Sequence, residues 1–143
     1  MNAATGNFFA PAGKSALRIL VVDDDRNTRD ILLEALALFG ARVRCAASVS
    51  EARAILAEWE ADVLVSDLGM PEEDGYDLIR GLRNDAARSH SRLPAIALTG
   101  YTREAEQQLA LASGFDEVIA KPAELGALMD AIRRLGCAGR SLR

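Results

Sequence analysis

Four apolar runs of this chain each end on polar residues that are suited to phosphoryl chemistry. The first run ends at Asp23 and Asp24, the second at Asp67, the third at Thr99 and the fourth at Lys121. If these runs are parallel strands, their carboxyl ends lie on one edge of a sheet, and open α/β sheets bind ligands at that edge. The sequence therefore predicts one cleft that holds three carboxylates, a hydroxyl and an ammonium group.

Each of these residue types has a role in the transfer of a phosphoryl group to a carboxylate. The transferring group needs a hard cation to neutralise its charge, and Mg²⁺ prefers oxygen ligands, including one or two carboxylates. Asp23 and Asp24 fit that role, and Asp67 at a strand end fits the role of nucleophile. Thr99 can donate its hydroxyl to one phosphoryl oxygen, and Lys121 can place a positive charge beside another.

Taken singly, each of these residues also has a structural explanation. The acidic run can cap the first helix, Asp67 can begin a turn, and Lys121 can be a solvated surface residue. Asp25 is better explained as a cap, because it comes one residue too late to point with its neighbours. The coincidence of four such strand ends in chain order favours phosphoryl chemistry.

The segments around these residues alternate between strand and helix. Ser48 and Glu51 have the spacing of a capping box, and Gly40 and Gly114 follow apolar residues at helical spacing, as helix stops do. Such alternation is typical of a parallel sheet with helices on both faces. The predicted strands are 17–22, 42–46, 62–66, 93–98 and 118–120, and the predicted helices are 31–39, 48–59, 75–83, 103–113 and 124–135.

Composition narrows the class of protein. A chain of 143 residues, half of them hydrophobic and 27% charged, fits one globular domain. The net charge of -4 argues against non-specific binding to nucleic acid or to an anionic membrane surface. No apolar run approaches the ~20 residues of a membrane span, and residues 1–15 lack the features of a signal peptide. We therefore expect a cytoplasmic protein without membrane insertion.

The chain divides into three predicted regions. Residues 1–16, rich in Ala, Gly and Asn, are predicted to be a flexible leader or linker, 17–136 the domain, and 137–143 a short tail with no output domain. Cys45 and Cys137 form no CxxC motif, so we expect two free thiols in a reducing compartment.

Five segments together resemble the receiver domain of bacterial two-component response regulators. They are 19–25, 63–71, 74–76, 97–100 and 120–122, and the resemblance covers about 17–135. It implies a single-domain, flavodoxin-like (βα)5 fold of the α/β class, a three-layer sandwich whose parallel sheet has the order 2-1-3-4-5. It also implies a phosphorelay domain that phosphorylates and dephosphorylates itself and is not a turnover enzyme.

The resemblance assigns a role to each candidate residue. Asp67 accepts the phosphoryl group from a phosphohistidine on a histidine kinase or a histidine phosphotransfer protein. Thr99 and Lys121 contact that group, and the Lys121–Pro122 peptide bond is cis. The Mg²⁺ ligands are Asp23, Asp24, Asp67 and the backbone carbonyl of Gly69.

Within the family, segments 66–76 and 114–124 most resemble receivers that are fused to hybrid sensor histidine kinases. Two positions depart from the family pattern. Val118 stands three residues before Lys121, where relatives often have an aromatic rotamer switch. Gly69 stands two residues after Asp67, where relatives often have a side chain. The absence of an aromatic side chain at Val118 puts the usual signalling relay of the family in question. The absence of a side chain at Gly69 does the same for the usual lifetime of the phosphoryl group.

Two other functions stay open at this point. Haloacid-dehalogenase-like phosphohydrolases also use a strand-end Asp, Mg²⁺, a hydroxyl and a lysine, but they need a second Asp at the position of Gly69. A degenerate receiver could act only as a binding scaffold, although all the expected site residues are present. The sequence leaves open the cognate kinase, the signal and whether the chain forms a homodimer.

Overall fold

A computed structural model describes residues 7–10, 14–70, 72–85, 89–100, 103–121 and 124–142. Strands and α-helices alternate along this part of the chain, and a short 3-10 helix, Ser89–Arg92, precedes the fourth strand. The elements are β1 (Arg18–Val22), α1 (Arg26–Leu38), β2 (Arg42–Ala46), α2 (Val49–Glu58), β3 (Val63–Asp67), α3 (Gly75–Arg83), β4 (Ala95–Thr99), α4 (Glu104–Ser113), β5 (Glu117–Ala120) and α5 (Leu125–Leu142).

The strands form one parallel sheet in the order β2-β1-β3-β4-β5. The predicted fold class and strand order are therefore confirmed. The register pairs Val22 with Ser66 and Thr99 with Ala120. These pairings bring the carboxyl ends of β1, β3, β4 and β5 to one edge, at the place where the strand order reverses between β1 and β3.

Two apolar clusters cover the two faces of this sheet. Successive residues of a strand point to opposite faces, so Leu20 of β1 packs with α2 and α3, whereas Ile19 packs with α1 and α5. β3 and β4 are buried along their whole length, as expected for central strands of a parallel sheet. The first cluster includes Val22, Leu64, Ile55 and Leu78, and the second includes Val21, Val65, Leu36 and Ile132.

Polar caps fix the beginnings of the helices near the functional edge. Asp25 is the N-cap of α1 and accepts hydrogen bonds from the backbone N–H of Thr28 at 3.1 Å and from its hydroxyl at 2.6 Å. The prediction that Asp25 acts as a cap is thereby confirmed. Asp74 and Asp77 form a reciprocal capping box at the start of α3. These caps fix where each helix leaves the loop that follows its strand.

The predicted end of the last helix is wrong. α5 continues through the predicted tail to Leu142. A Cβ at Gly136 would lie 2.9 Å from Val63 and 3.1 Å from Leu17, and a Cβ at Gly139 would lie 2.8 Å from Pro94. Gly136 therefore marks a close approach of the helix to the strand beginnings and does not end the helix.

The N-terminal region also contributes to the folded domain. Phe9 is fully buried in the cluster between α1 and α5. Its N–H donates to Phe39 O at 3.0 Å, and its carbonyl accepts from Leu17 N at 2.8 Å. This part of the predicted leader packs against the domain, whereas residues 1–6 and 11–13 lie outside the described residues. Among the helices that are described, none has the length and apolar character that a membrane crossing needs.

Candidate functional site

The predicted site residues follow four neighbouring strands at one edge of the sheet. Asp23 comes directly after β1, Asp67 ends β3, Thr99 ends β4 and Lys121 comes directly after β5. Thr99 is 1% exposed, and its carbonyl accepts a hydrogen bond from Lys121 N at 2.7 Å. This bond ties the ends of β4 and β5 together beside the acidic residues.

Three carboxylates meet in the middle of this edge. One carboxylate oxygen from each of Asp23, Asp24 and Asp67 lies within 4.8 Å of the other two. Asp23 and Asp67 are buried, with 1% and 8% exposure, whereas Asp24 is exposed. The cluster is therefore open to solvent on the side of Asp24. Three hard oxygen donors at this spacing form a candidate site for a divalent cation.

Lys121 supplies the positive charge at the same point. Its Nζ donates to Asp23 Oδ2 at 2.9 Å and lies 3.3 Å from Asp67 Oδ2. Burial lowers the pKa of Lys121, but the hydrogen bond to Asp23 and the charge of Asp67 outweigh it, so the pKa is raised. The ammonium group therefore stays charged and holds the two buried carboxylates together.

Unlike Lys121, Asp67 lies where the surrounding protein disfavours its charged form. Burial and the negative charge of Asp23 raise its pKa, and Lys121 only partly opposes them. The negative charge on Asp67 is thus undercompensated by the protein. A cation that enters the cluster would relieve this imbalance, which favours metal binding at this point.

Asp23 itself is held in place from two sides. Its Oδ1 accepts from Asp25 N at 2.9 Å, and its backbone carbonyl accepts from Arg29 Nη1 at 2.9 Å. The sequence reasoning missed Arg29. A cation in the first two turns of the helix that follows an acidic run is the signal that could have found it.

Comparison with known proteins decides the family. Residues 19–133 match the family model described as the response regulator receiver domain. The chain belongs to this family. Receiver domains are signalling modules of two-component systems and not turnover enzymes, and the acidic cluster is consistent with a phosphoacceptor function.

The relatives include proteins of different lengths. An uncharacterized 14.6 kDa protein of Leptolyngbya boryana is 46% identical over 106 residues, which cover 74% of this chain and 79% of that protein. The transcriptional regulatory protein GltR of Pseudomonas aeruginosa is 36% identical over 120 residues, which cover 82% of this chain but 48% of GltR. The match therefore spans about half the length of GltR.

A solved structure shows the same fold. The signal receiver domain of a signal transduction histidine kinase from Syntrophus aciditrophicus superposes with a TM-score of 0.79 at 29% identity. The superposition covers 86% of this chain and 92% of that one. The receiver domain of a histidine kinase and part of a transcriptional regulatory protein are thus both similar to this chain.

One glycine fixes the backbone at the end of β3, next to Asp67. A Cβ at Gly75 would overlap the carbonyl oxygen of Asp67 and lie 3.0 Å from Leu68 Cα. The N–H of Gly75 also donates to Leu68 O at 3.0 Å. Only a residue without a side chain allows α3 to begin this close to the end of β3. The sequence reasoning used Gly75 as part of a motif and missed this role.

The two positions that depart from the family pattern are both described. A Cβ at Gly69 would meet nothing within 4 Å, so there is open space where a side chain at position 69 would begin. Val118 is partly buried and packs against the first apolar cluster, which lies between the sheet and helices α2 and α3. Pro122, whose peptide bond with Lys121 was predicted to be cis, lies outside the described residues.

Proposed function

We propose that this receiver takes a phosphoryl group from a phosphohistidine onto Asp67 and becomes an aspartyl phosphate. The observation behind the proposal is the cluster of three carboxylates within 4.8 Å, with Lys121 Nζ 3.3 Å from Asp67. In the transfer, a bond forms between an Asp67 carboxylate oxygen and phosphorus while the phosphorus–nitrogen bond of the donor histidine breaks. The donor is a histidine kinase or a histidine phosphotransfer protein.

The donor atoms of the cluster fit Mg²⁺, since all of them are hard oxygens. The proposed ligands are the carboxylates of Asp23, Asp24 and Asp67 and the backbone carbonyl of Gly69. When bound, the ion supplies positive charge beside the transferring oxygens. The exposure of Asp24 and the open space beside Gly69 leave room for the waters that Mg²⁺ retains.

The other side chains of the site have separate proposed roles. Lys121 holds a positive charge over Asp67 and pairs with a phosphoryl oxygen after transfer. The Thr99 hydroxyl donates to a second phosphoryl oxygen, as its place at the end of β4 suggests. Asp23 is anchored by Asp25 N and Arg29, so it keeps its place while Lys121 changes partner.

The proposal includes the type of parent protein and its partners. Segments 66–76 and 114–124, together with the likeness to a receiver from a histidine kinase, support an assignment to hybrid kinases. The likeness to GltR supports a regulator with a further domain. The coding sequence on either side of this segment distinguishes the two, because a kinase domain encoded in the same reading frame decides for the hybrid type. The donor and the receiver must meet in one compartment, and we place both in the cytoplasm. Nucleic acid is not one of the proposed partners.

A phosphohydrolase of the haloacid-dehalogenase type is disfavoured by one position. Such an enzyme needs a general acid two residues after the nucleophile, and Gly69 carries no side chain. A degenerate scaffold is disfavoured by the complete acidic cluster and its lysine.

The proposal is tested by treating the protein with acetyl phosphate and Mg²⁺ and measuring its intact mass. We expect one added phosphoryl group, which is lost in Asp67→Asn and retained in Asp25→Asn. Asp25 is a suitable control because it is two residues from Asp23 but caps α1. Labelling that persists in Asp67→Asn would move the acceptor elsewhere, and sustained hydrolysis of a phosphomonoester would favour the phosphohydrolase.

A further inference from the structure

Two arginines lie side by side at the opposite edge of the sheet, where the strands begin. The register pairs Arg18 of β1 with Arg42 of β2, so both side chains project from the same face. With Ser15 and Ala16 they line a cavity of about 370 Å³. This volume is within the range of sites that bind small molecules.

The charge of Arg18 is only partly satisfied. Asp62 Oδ2 accepts from the backbone N–H of Arg18 at 2.8 Å, but it lies 3.7 Å from Arg18 Nε. Arg18 Nε is buried and has no hydrogen-bond acceptor among the described residues. Because Nε is also closed to solvent, a ligand in the cavity would bind the Nη groups of this side chain, which is 34% exposed and lines the cavity.

Arg42 differs from the arginine two residues further along the same strand. Arg44 lies on the same face but pairs with Glu58 at 3.4 Å and stacks on Trp59 at 5.7 Å. Arg42 is exposed, and within the described part of the chain no acceptor binds its guanidinium group. Its five donors are free to bind a ligand at the mouth of the cavity.

The local charge sets the class of ligand. The two guanidinium groups of Arg18 and Arg42 and the carboxylate of Asp62 leave one net positive charge around the cavity. A guanidinium group matches the paired oxygens of a carboxylate or a phosphate. A neutral ligand would leave this charge unmatched.

We propose that this cavity binds a small oxyanion, a carboxylate or a phosphate, between the guanidinium groups of Arg42 and Arg18. The site is separate from the phosphoacceptor. Arg18 begins β1 and Asp23 lies five residues further along, so about 16 Å of chain separates the two sites at ~3.3 Å per residue. Ser15, Ala16 and Arg18 also precede the segment that matches the family model.

The test is an NMR titration of the full chain with inorganic phosphate in one arm and succinate in the other, without Mg²⁺. Sodium chloride at matched ionic strength is the reference. We expect saturable shifts of the amides of Ser15, Ala16, Arg18 and Arg42. The ligand whose shifts saturate at the lower concentration shows whether the site prefers a phosphate or a carboxylate.

Variants separate a specific site from general electrostatics. Arg42→Gln should weaken binding at least about tenfold, because it removes a charge-assisted pair. Arg44→Gln, a matched change on the same strand and face, should leave the affinity within about twofold, since Arg44 does not line the cavity and pairs with Glu58 instead. Three results would each overturn the proposal: no saturable shift in either arm, equal shifts with chloride, or unchanged binding in Arg42→Gln.

Discussion

Lys121 Nζ lies 2.9 Å from Asp23 Oδ2, although these residues are 98 positions apart in the chain. The bond joins the ends of β1 and β5 across β3 and β4, and it leaves Lys121 Nζ 3.3 Å from Oδ2 of Asp67, the proposed acceptor. The side chain that would contact the phosphoryl group thus begins on a carboxylate that would also bind Mg²⁺. Metal binding and phosphorylation should therefore both redistribute the contacts of Lys121.

The first prediction concerns this redistribution. Lys121→Ala should destabilise the metal-free protein by about 1–3 kcal/mol, because buried Asp23 loses its charged donor. Mg²⁺ should then raise the melting temperature of the variant more than that of the wild type, since the ion replaces the missing charge. Thermal denaturation with and without Mg²⁺ measures both effects.

Lys14→Ala is the matched control for Lys121→Ala, because Lys14 is exposed and precedes the start of β1, whereas the cluster lies at the end of that strand. It should change neither the stability nor the response to Mg²⁺. An equal Mg²⁺ shift in wild type and Lys121→Ala would mean that the ion does not take over the role of the ammonium group.

The second prediction concerns the metal ligands. Asp23→Asn and Asp24→Asn should each lower the rate of Mg²⁺-dependent phosphorylation at least about tenfold, because the remaining carboxylates neutralise the transition state less well. Asp25→Asn should have little effect, since its side chain bonds Thr28 and asparagine is also a good N-cap. Phosphorylation rates across a Mg²⁺ series give the comparison. Equal losses at all three positions would contradict the ligand assignment.

The third prediction concerns the close approach at Gly75. Gly75→Ala must push the start of α3 away from the carbonyl of Asp67. Phosphorylation should slow by up to about 100-fold, since a misplacement of about 1 Å at a reacting group can cost that much. The rate with acetyl phosphate at saturating Mg²⁺ measures this effect.

Gly81→Ala in the same helix is the control for Gly75→Ala. Its Cβ would meet only Arg53 Nη2 at 3.5 Å, an ordinary contact. The variant should keep the wild-type rate and gain up to about 1 kcal/mol of stability from the higher helix propensity of alanine. If both variants kept full activity, the contact with Asp67 would not matter for the acceptor.

Much of the candidate site could be predicted because its position follows from the sheet. Apolar runs that end on Asp67 and Lys121 specify strand ends, and a parallel sheet brings strand ends together. The boundary of α5 could not be predicted, because Gly136 has the local features of a helix stop. Only the tertiary contact with Leu17 and Val63 shows why the helix continues.

Arg83 shows a further limit of sequence reasoning. Its guanidinium group donates to Leu93 O at 2.6 Å, Gly114 O at 2.9 Å and Asp116 Oδ2 at 3.2 Å. The group thereby joins α3 to the segments that precede β4 and β5. On the sequence, Arg83 is one of several charged residues at the end of an amphipathic helix, and no local pattern marks acceptors up to 33 positions away.

The fourth prediction concerns the extent of the domain. Phe9→Ala should destabilise the protein by about 3–5 kcal/mol, the usual cost of removing a fully buried aromatic side chain. Phe8→Ala should cost less, because Phe8 is only partly buried and contacts Phe9 and Phe39 at ring edges. Urea denaturation measures both. An unchanged stability in Phe9→Ala would show that the domain begins after this residue, as the sequence suggested.

The last prediction concerns which residues away from Asp67 change their structure when Asp67 is phosphorylated. In many relatives an aromatic side chain swings inward at the position of Val118, but valine is short and has a stiff χ1. Val118 is also packed against the cluster under α2 and α3, so it has little freedom to move. The response should therefore pass through the chain after β4, from Thr99 to Arg103, where a Cβ at Gly100 would meet no atom within 4 Å.

NMR spectra recorded before and after phosphorylation provide the measurement for this relay. The amide shifts should concentrate at 99–103 and should survive Val118→Ala, which keeps a small apolar residue on the same strand. Ile119→Val, on the opposite face of β5, controls for a general loosening of that strand. If Val118→Ala abolished the shifts while phosphorylation stayed intact and Ile119→Val preserved them, the relay would pass through Val118. The short side chain would then act by packing alone, since valine has no large rotamer change with which to move its neighbours.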